Sequence, residues 1–220
     1  MTEPTRSTGK KSRAGTAVRK RGKATVSDIL ETAQTILVTE GLTNLSARRV
    51  ADNLGISVGN LAYYFPSKDS LLQAMIEHVI EGYDEELKKA FELFPHDPRQ
   101  RLEAFLEYMK EDTKKPEVQG FFYQFWGFTT HNEKAAEKRT AMYEHFFKQL
   151  LRLLSDIHTT KKKAELENMA FSMLACLEGL HVIFGSGDIA RLSSKSFDRY
   201  IFDQLLTMAG LEKRYETKGR

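Results

Sequence analysis

Apolar side chains recur at helical spacing along almost the whole chain from residue 25 onward. The first predicted helix starts at a capping pair, Thr25 and Asp28, and ends at Gly41. Short helices follow from Ser46 and from Ser57. Longer helices are predicted over about 68–91, 98–115, 117–128, 133–154, 164–184 and 196–208. No segment alternates between apolar and polar residues as a half-buried strand does, so the pattern predicts an all-α protein.

Residues 46–68 predict two short helices joined by a tight turn. Ala51 is small enough for a second helix to cross at close range. Gly55 follows the first helix, where a left-handed residue commonly ends a helix, and Ser57 can cap the next one. This pattern is typical of a helix-turn-helix, whose second helix lies in the major groove of DNA. An αα-hairpin without a DNA partner is the alternative.

The net charge of +3 conceals an asymmetry along the chain. Residues 1–23 carry eight Lys or Arg and one acid, which leaves 25 basic and 29 acidic residues in the remainder. This segment is rich in Ser, Thr and Gly and predicts a disordered basic arm. The arm is either a solvated tail or a segment that follows phosphates near the helix-turn-helix. Residues 24–70 hold three bases and five acids, so the positive surplus lies in the arm.

The compartment is predicted from what the sequence lacks. The N-terminus has no apolar stretch behind its charges, and no apolar run approaches the roughly 20 residues that span a bilayer. The single cysteine, Cys176, excludes an internal disulfide. We therefore expect a cytoplasmic protein with no membrane partner.

The run from Thr25 to about Leu72 resembles the DNA-binding domain of the tetracycline-repressor-like (TetR) family of bacterial transcriptional regulators. The first helix, the segment SARRVADNLGISVGNLAYYF and the following PSKDSLL carry the resemblance. It implies an N-terminal three-helix helix-turn-helix DNA-binding domain and a C-terminal helical ligand-binding and dimerisation domain. The predicted divisions are a basic arm over 1–23, a DNA-binding domain over 24–70 whose fourth helix continues to about 91, the C-terminal domain over 92–212, and a flexible tail over 213–220.

The DNA-facing residues follow from the resemblance and from their chemistry. They are predicted to be Arg48, Arg49, Ser57, Val58, Gly59, Asn60, Tyr63, Tyr64 and Lys68. Asn60 suits the edge of adenine and Val58 a thymine methyl, whereas the hydroxyl and basic groups suit phosphates. Packing on the first helix is the alternative for Tyr64, and a solvated face is the alternative for the two arginines. Ala62 departs from the family pattern, which usually places Tyr or Ser there to contact a phosphate.

A ligand pocket is predicted around helix six, where six aromatic residues fall within eight positions (121–128). The predicted lining is Met109, Phe121, Phe122, Phe125, Trp126, Tyr143, Met169, Met173 and His181. Ligand sites are mostly apolar and aromatic with few polar groups, and methionine adapts to irregular shapes. A core helix wedged between neighbours, apolar and therefore buried on every side, is the better explanation of most of these residues, and a pocket walled by a subset of them is compatible with it.

The last two helices carry longer apolar stripes than one chain needs for its own core. We expect equivalent helices of two chains to form a four-helix dimer interface. The predicted interface residues are Ala175, Gly179, Ile201, Phe202 and Leu205. Such a dimer would bind a palindromic operator.

Enzymatic functions find little support. Glu178 and His181 form one Glu-x-x-His, whereas di-iron bundles need two copies, and the other histidines lack metal-ligand spacing. No cofactor and no catalytic residue is predicted. The sequence therefore predicts a homodimeric DNA-binding transcriptional regulator, a repressor released from its operator by a small, largely apolar ligand. A helical interaction protein of the same fold without operator binding is the alternative.

Overall fold

A computed structural model of the protein describes residues 14–184 and 195–212. Every regular element in these ranges is a helix, as the apolar pattern predicted. The helices are α1 (Ala14–Glu40), α2 (Ala47–Leu54), α3 (Val58–Tyr64), α4 (Lys68–Leu93), α5 (Pro98–Asp112), α6 (Pro116–Thr129), α7 (Glu133–Ile157), α8 (Lys163–Phe184) and α9 (Lys195–Met208). The predicted bounds of α4 and α6–α9 differ from these by no more than a few residues.

Local hydrogen bonds fix the turn between α2 and α3. The Ser46 and Ser57 hydroxyls each accept a backbone N–H in the first turn of the helix that follows them. Gly55 ends α2 with a φ of 65°, the left-handed conformation that glycine adopts without steric cost. Ala51 is fully buried where α2 packs on its neighbours. The helix-turn-helix geometry predicted for this segment is confirmed.

The start of α1 corrects the sequence prediction. The helix begins at Ala14, so Thr25 and Asp28 lie inside it and do not form its capping box. Residues 14–23, predicted as part of a disordered arm, are helical. The physical reason is that Ala, Arg and Lys in this stretch favour helix, and extending a helix that is already nucleated costs little. The predicted disorder of residues 1–13 and the flexible tail over 213–220 lie outside the described residues.

Helices α4–α9 form the C-terminal body around a shared core. The Asp97 carboxylate caps α5 and the Asn132 side chain caps α7. The expectation that α6 is buried on every side was wrong, because Tyr123 is exposed on one face although Phe121 and Phe122 are buried on others.

Helix α8 is long and apolar enough, by length and composition, to cross a membrane, which the sequence argument had excluded for every segment. Its most apolar window has a mean hydropathy of 1.2. In this fold, however, it packs against α5, α6, α7 and α9 and buries one continuous side. That side consists of Leu166, Ala170, Met173, Leu174, Leu177, Leu180, His181 and Phe184. We therefore describe α8 as a core helix.

Candidate nucleic-acid interface and ligand site

The outer face of α3 is exposed to solvent. Leu61 is buried and holds the helix against the core, whereas Val58, Gly59, Asn60 and Tyr63 are exposed. The Tyr63 side chain is the most open of these, with 83% of the residue exposed. Four predicted DNA-facing residues therefore form one continuous surface that can enter a groove.

The first turn of α3 supplies hydrogen-bond donors. The Ser57 oxygen accepts the Asn60 backbone N–H at 3.1 Å, and that bond does not use the hydroxyl hydrogen. The free N–H groups and positive dipole of a helix N-terminus also favour an anion. A DNA phosphate oxygen beside Ser57 could accept a hydrogen bond from the Ser57 hydroxyl and from the free N–H groups of this turn.

The two tyrosines at the end of α3 differ in their surroundings. Tyr64 is half-buried and packs against the hydrophobic core, which is the alternative given for it from the sequence. Its ring meets the Tyr63 ring edge-on at a centroid distance of 5.1 Å. The two neighbouring rings therefore pack against each other, with Tyr64 on the side of the core and Tyr63 on the side of the solvent.

The two arginines of α2 also differ. The Arg48 side chain is 86% exposed and lies 4.0 Å from Asp52. Arg49 instead donates two close hydrogen bonds to the Glu40 carboxylate, which raises the pKa of Arg49 and lowers the pKa of Glu40. In this conformation Arg49 ties α2 to the end of α1, and Arg48 is the freer candidate for DNA.

Lys68 is engaged within the protein. Its Nζ donates a hydrogen bond to the Leu42 carbonyl in the turn after α1, and partial burial lowers the pKa of the lysine. A DNA phosphate at Lys68 would therefore compete with the Leu42 carbonyl for the ammonium group.

The same turn is held from the C-terminal domain. The Leu42 N–H donates to the Gln124 side chain of α6 at 3.3 Å. Four residues earlier on α6, Gly120 lies against Val38 of α1, and a Cβ atom at Gly120 would stand only 2.6 Å from a Val38 methyl carbon. Helix α6 thus contacts the DNA-binding domain directly, and a movement of α6 would reach α1.

On its other side α6 borders a buried polar cluster. The Trp126 Nε1 donates to the Tyr143 hydroxyl at 2.7 Å, and that hydroxyl donates to the Glu178 carboxyl at 3.0 Å. His181 lies one turn after Glu178, with 4.0 Å between its Nδ1 and a Glu178 oxygen. Among the described residues, neither ring nitrogen of His181 makes a hydrogen bond of normal geometry, although only 3% of the residue is exposed and the Leu177 backbone lies close enough to raise its pKa.

Burial sets the ionisation of this cluster. It raises the pKa of Glu178 to about 7, against a smaller lowering by the Tyr143 hydrogen bond. Burial lowers the pKa of His181 to about 4, so its ring is neutral at pH 7. The Tyr83 hydroxyl and Lys115 both bond to the buried Asp112 nearby, whose charge partly offsets the lowering for His181.

The structure gathers some of the predicted pocket residues and separates others. Phe122, Trp126, Tyr143 and His181 belong to the polar cluster or contact it. Phe121 and Phe125 stack on each other and line a small cavity with Leu37, Leu72 and Ile76, facing the DNA-binding domain. Met109 and Met173 are buried in the core.

Met169 is not part of the cluster. It precedes His181 by three helical turns, about 18 Å along α8, and its methyl lies beside Gly210. The prediction that Met169 lines the same space as His181 was therefore wrong. Glu178 was missing from the predicted site, although the Glu-x-x-His spacing already placed its side chain on the same helical face as His181.

The predicted dimer residues need one correction. Leu205 is fully buried within its own chain, so it is not available to a partner. Ile201 and Phe202 are half-buried and Ala175 is exposed. Among the described residues, no atom outside the glycine's own stretch of helix lies within 4 Å of the position that a Cβ at Gly179 would occupy. The sequence pattern missed the large exposed apolar residues of these helices because periodicity alone does not tell which side of a stripe packs inward. They are Phe171, Val182, Ile183 and Tyr200.

Comparison with known proteins agrees with this domain structure. Residues 29–75 match the family model of bacterial regulatory proteins of the tetR family. Residues 29–75 therefore resemble the DNA-binding domain of the TetR family. The chain is 34% identical over 79 residues to the HTH-type transcriptional regulator EthR of Mycolicibacterium smegmatis. That alignment covers 36% of each chain.

Solved structures extend the likeness, as a likeness of fold, beyond the DNA-binding segment. A transcriptional regulator from Pseudomonas aeruginosa PAO1 superposes with a TM-score of 0.72 at 20% identity, covering 86% of this chain and 90% of that one. A regulator from Saccharomonospora viridis, solved in complex with choline, gives a TM-score of 0.63 at 17% identity over 86% and 96% of the two chains. Within the residues the structure describes, no group of three or more His, Cys, Asp or Glu is arranged to hold a metal ion.

Proposed function

We propose that the protein is a homodimeric, cytoplasmic transcriptional repressor that binds a palindromic DNA operator and is released by a small, largely apolar molecule. The observation that carries the DNA-binding part is the exposed face of α3, capped by Ser57 and held in place by the buried Leu61. A helix presented in this way suits the major groove, where Asn60 can pair with an adenine edge.

A dimer is supported by an exposed apolar stripe on α8. Phe171, Ala175, Gly179 and Val182 follow one another at intervals of three or four residues and therefore share one side of the helix. The Phe171 residue is 67% exposed in the single chain. The same patch on two chains would pair across a two-fold axis and set the distance between two α3 helices, about 34–36 Å for adjacent major grooves.

Ligand response is supported by the position of α6. Its Trp126 belongs to the buried polar cluster, and its Gly120 and Gln124 contact α1 and the following turn. A ligand that favours a different position of α6 would change the orientation of the DNA-binding domain. It does so only to the extent that it binds the two arrangements with different affinity. The Saccharomonospora viridis regulator binds choline, a small molecule, in a protein of this fold.

The alternative, an interaction protein without operator binding, is favoured by the acidic surplus over 24–70 and by Ala62 in place of a hydroxyl residue. Fluorescence anisotropy with DNA from either side of the protein's own gene separates the two. We expect tighter binding to this DNA than to unrelated DNA of equal length, with affinity that falls steeply as salt rises. Equal affinity for both, or no binding to either, would favour the interaction protein.

A further inference from the structure

The interior of the C-terminal domain contains a carboxyl group without a cationic partner. The Glu178 side chain is 19% exposed, and among the described residues it makes no ion pair with a lysine or arginine. Its contacts are the Tyr143 hydroxyl at 3.0 Å and His181 at 4.0 Å. A buried carboxylate is stable only when a counter-charge or several hydrogen bonds compensate for lost hydration. Glu178 therefore has an unmet requirement for positive charge.

The neighbouring histidine has unmet hydrogen-bonding capacity. Both ring nitrogens of His181 are buried and neither makes a hydrogen bond of normal geometry, although polar groups in protein interiors are almost always paired. The Leu177 backbone interacts with the ring and raises its pKa, against the larger lowering by burial. In the neutral ring one nitrogen accepts a hydrogen bond and the other donates one. The two residues lie one turn apart on α8, so a single small group can reach both of them.

Aromatic rings border this pair. The Phe122 ring lies 4.6 Å from the His181 ring and 5.7 Å from the Trp126 ring, measured between centroids. Trp126 and Tyr143 are half-buried, so the cluster reaches the surface through their side chains. Faces of aromatic rings attract cations, most strongly where water is excluded.

The other charges near the cluster do not neutralise Glu178. Asp112 of α5 is already bonded to Lys115 and to the Tyr83 hydroxyl of α4. Arg139 of α7 donates to Thr129. The formal charges of these groups and Glu178 cancel, but among the described residues neither Lys115 nor Arg139 forms an ion pair with Glu178 itself.

We propose that Glu178 and His181, with Trp126 and Tyr143 beside them, form the polar end of a ligand site for an organic cation, a protonated or quaternary amine with an apolar body. This inference rests on the proposed ligand-responsive function and names the ligand class. An ammonium group donates to the carboxylate of Glu178 and to the acceptor nitrogen of His181, whereas a quaternary group lies against the rings. An anion would be repelled by the Glu178 carboxylate, and a neutral molecule would leave the charge of that carboxylate without a partner.

Calorimetric titration of the full chain at pH 8 tests the proposal. The probes are phenylalkylamines with one to four methylene groups, their trimethylammonium counterparts, and alcohols and carboxylates of the same lengths. We expect the best cation to bind at least about tenfold tighter than its matched alcohol, as one charge-assisted contact supplies. Tighter binding of the amines than of the trimethylammonium compounds would indicate a hydrogen bond donated by the ligand. Equal binding of the two series would indicate contacts with the aromatic rings alone.

Variants on one helix provide the control. Glu178→Gln keeps the shape of the side chain and should abolish the preference for the cation. Glu167→Gln removes a half-buried carboxylate that pairs with Lys163 on the same helix, and it should leave the preference intact. At pH 6 the preference should shrink, because Glu178 is then mostly protonated. Circular dichroism establishes that both variants are folded.

Three results would overturn the proposal. They are equal binding of alcohols and cations, a cation preference that survives Glu178→Gln, and no binding by any cation at millimolar concentration. DNA binding is measured separately on the same preparation. Protein that binds its flanking DNA but not the cations refutes this inference alone, whereas failure to prefer that DNA refutes the proposed function.

Discussion

The contact between Gly120 and Val38 gives a quantitative test of how the two domains are joined. A Cβ atom at Gly120 would stand 2.6 Å from a Val38 methyl carbon, closer than such atoms approach in proteins. A Cβ at Gly127 on the same helix would meet none of the described residues outside its own stretch of helix within 4 Å. Gly→Ala within a helix stabilises by about 1 kcal/mol. Overpacking costs about 1–3 kcal/mol. Gly120→Ala should therefore be about 1–3 kcal/mol less stable than Gly127→Ala.

Urea unfolding followed by circular dichroism measures this difference. Val38→Ala removes both methyl groups that crowd the site but leaves the Cβ atom of residue 38 at 3.2 Å. In that background most of the difference between Gly120→Ala and Gly127→Ala should therefore disappear. Equal stabilisation by the two glycine substitutions in the wild-type background would refute the close contact of α6 with α1. We also expect Gly120→Ala, and not Gly127→Ala, to weaken operator binding, because only the former displaces α1.

Three further outcomes follow from the structure. Deleting residues 1–13, which carry four basic residues and one acid, should leave the fold intact and reduce the salt dependence of DNA binding, and an unchanged slope of affinity against salt would show a solvated tail. Burial raises the pKa of Glu178 from 4.5 to about 7, so its contribution to stability is complete below pH 4.5 and is lost as the pH rises through 7. The free energy of unfolding of wild type, relative to that of Glu178→Gln, should therefore fall by about 3 kcal/mol between pH 4.5 and pH 8. Chemical unfolding of both proteins at a series of pH values measures this difference, and a constant difference would contradict the prediction. Phe171→Glu should give a folded protein that is monomeric by light scattering and binds the operator weakly by anisotropy, whereas a folded dimer would exclude the α8 interface. Leu205→Glu should unfold the chain, because Leu205 is fully buried.

Local sequence signals predicted the helix-turn-helix well. Ser46, Gly55 and Ser57 act through their own backbone neighbours, so their roles as caps follow from residue type and spacing alone. The start of α1 was missed because Thr25 and Asp28 match a capping box by spacing, while the competing tendency of the preceding residues to extend the helix gives no comparably sharp signal.

Tertiary packing determines which apolar residues are buried and which groups contact Glu178, and local sequence patterns do not. The buried Leu205 and the exposed Phe171 belong to apolar stripes of similar appearance, and only the packing of α8 and α9 shows which one faces inward. Glu178 was dismissed with the Glu-x-x-His pattern because its partner Tyr143 lies 35 residues earlier in the chain. Neither its burial nor its contact with Tyr143 can be derived from local spacing.

The central claim is that the exposed face of α3 reads DNA sequence. Selection of binding sites from a random DNA pool tests it directly, with wild type compared with Asn60→Ala. Asn53→Ala is the control, since Asn53 is an exposed asparagine on α2 whose side chain donates to the Arg49 carbonyl. We predict a two-fold symmetric motif for wild type and Asn53→Ala, and relaxed preference at one base pair of each half-site for Asn60→Ala, a loss of about 1–3 kcal/mol. The same motif from all three proteins, or no motif from wild type, would contradict the claim.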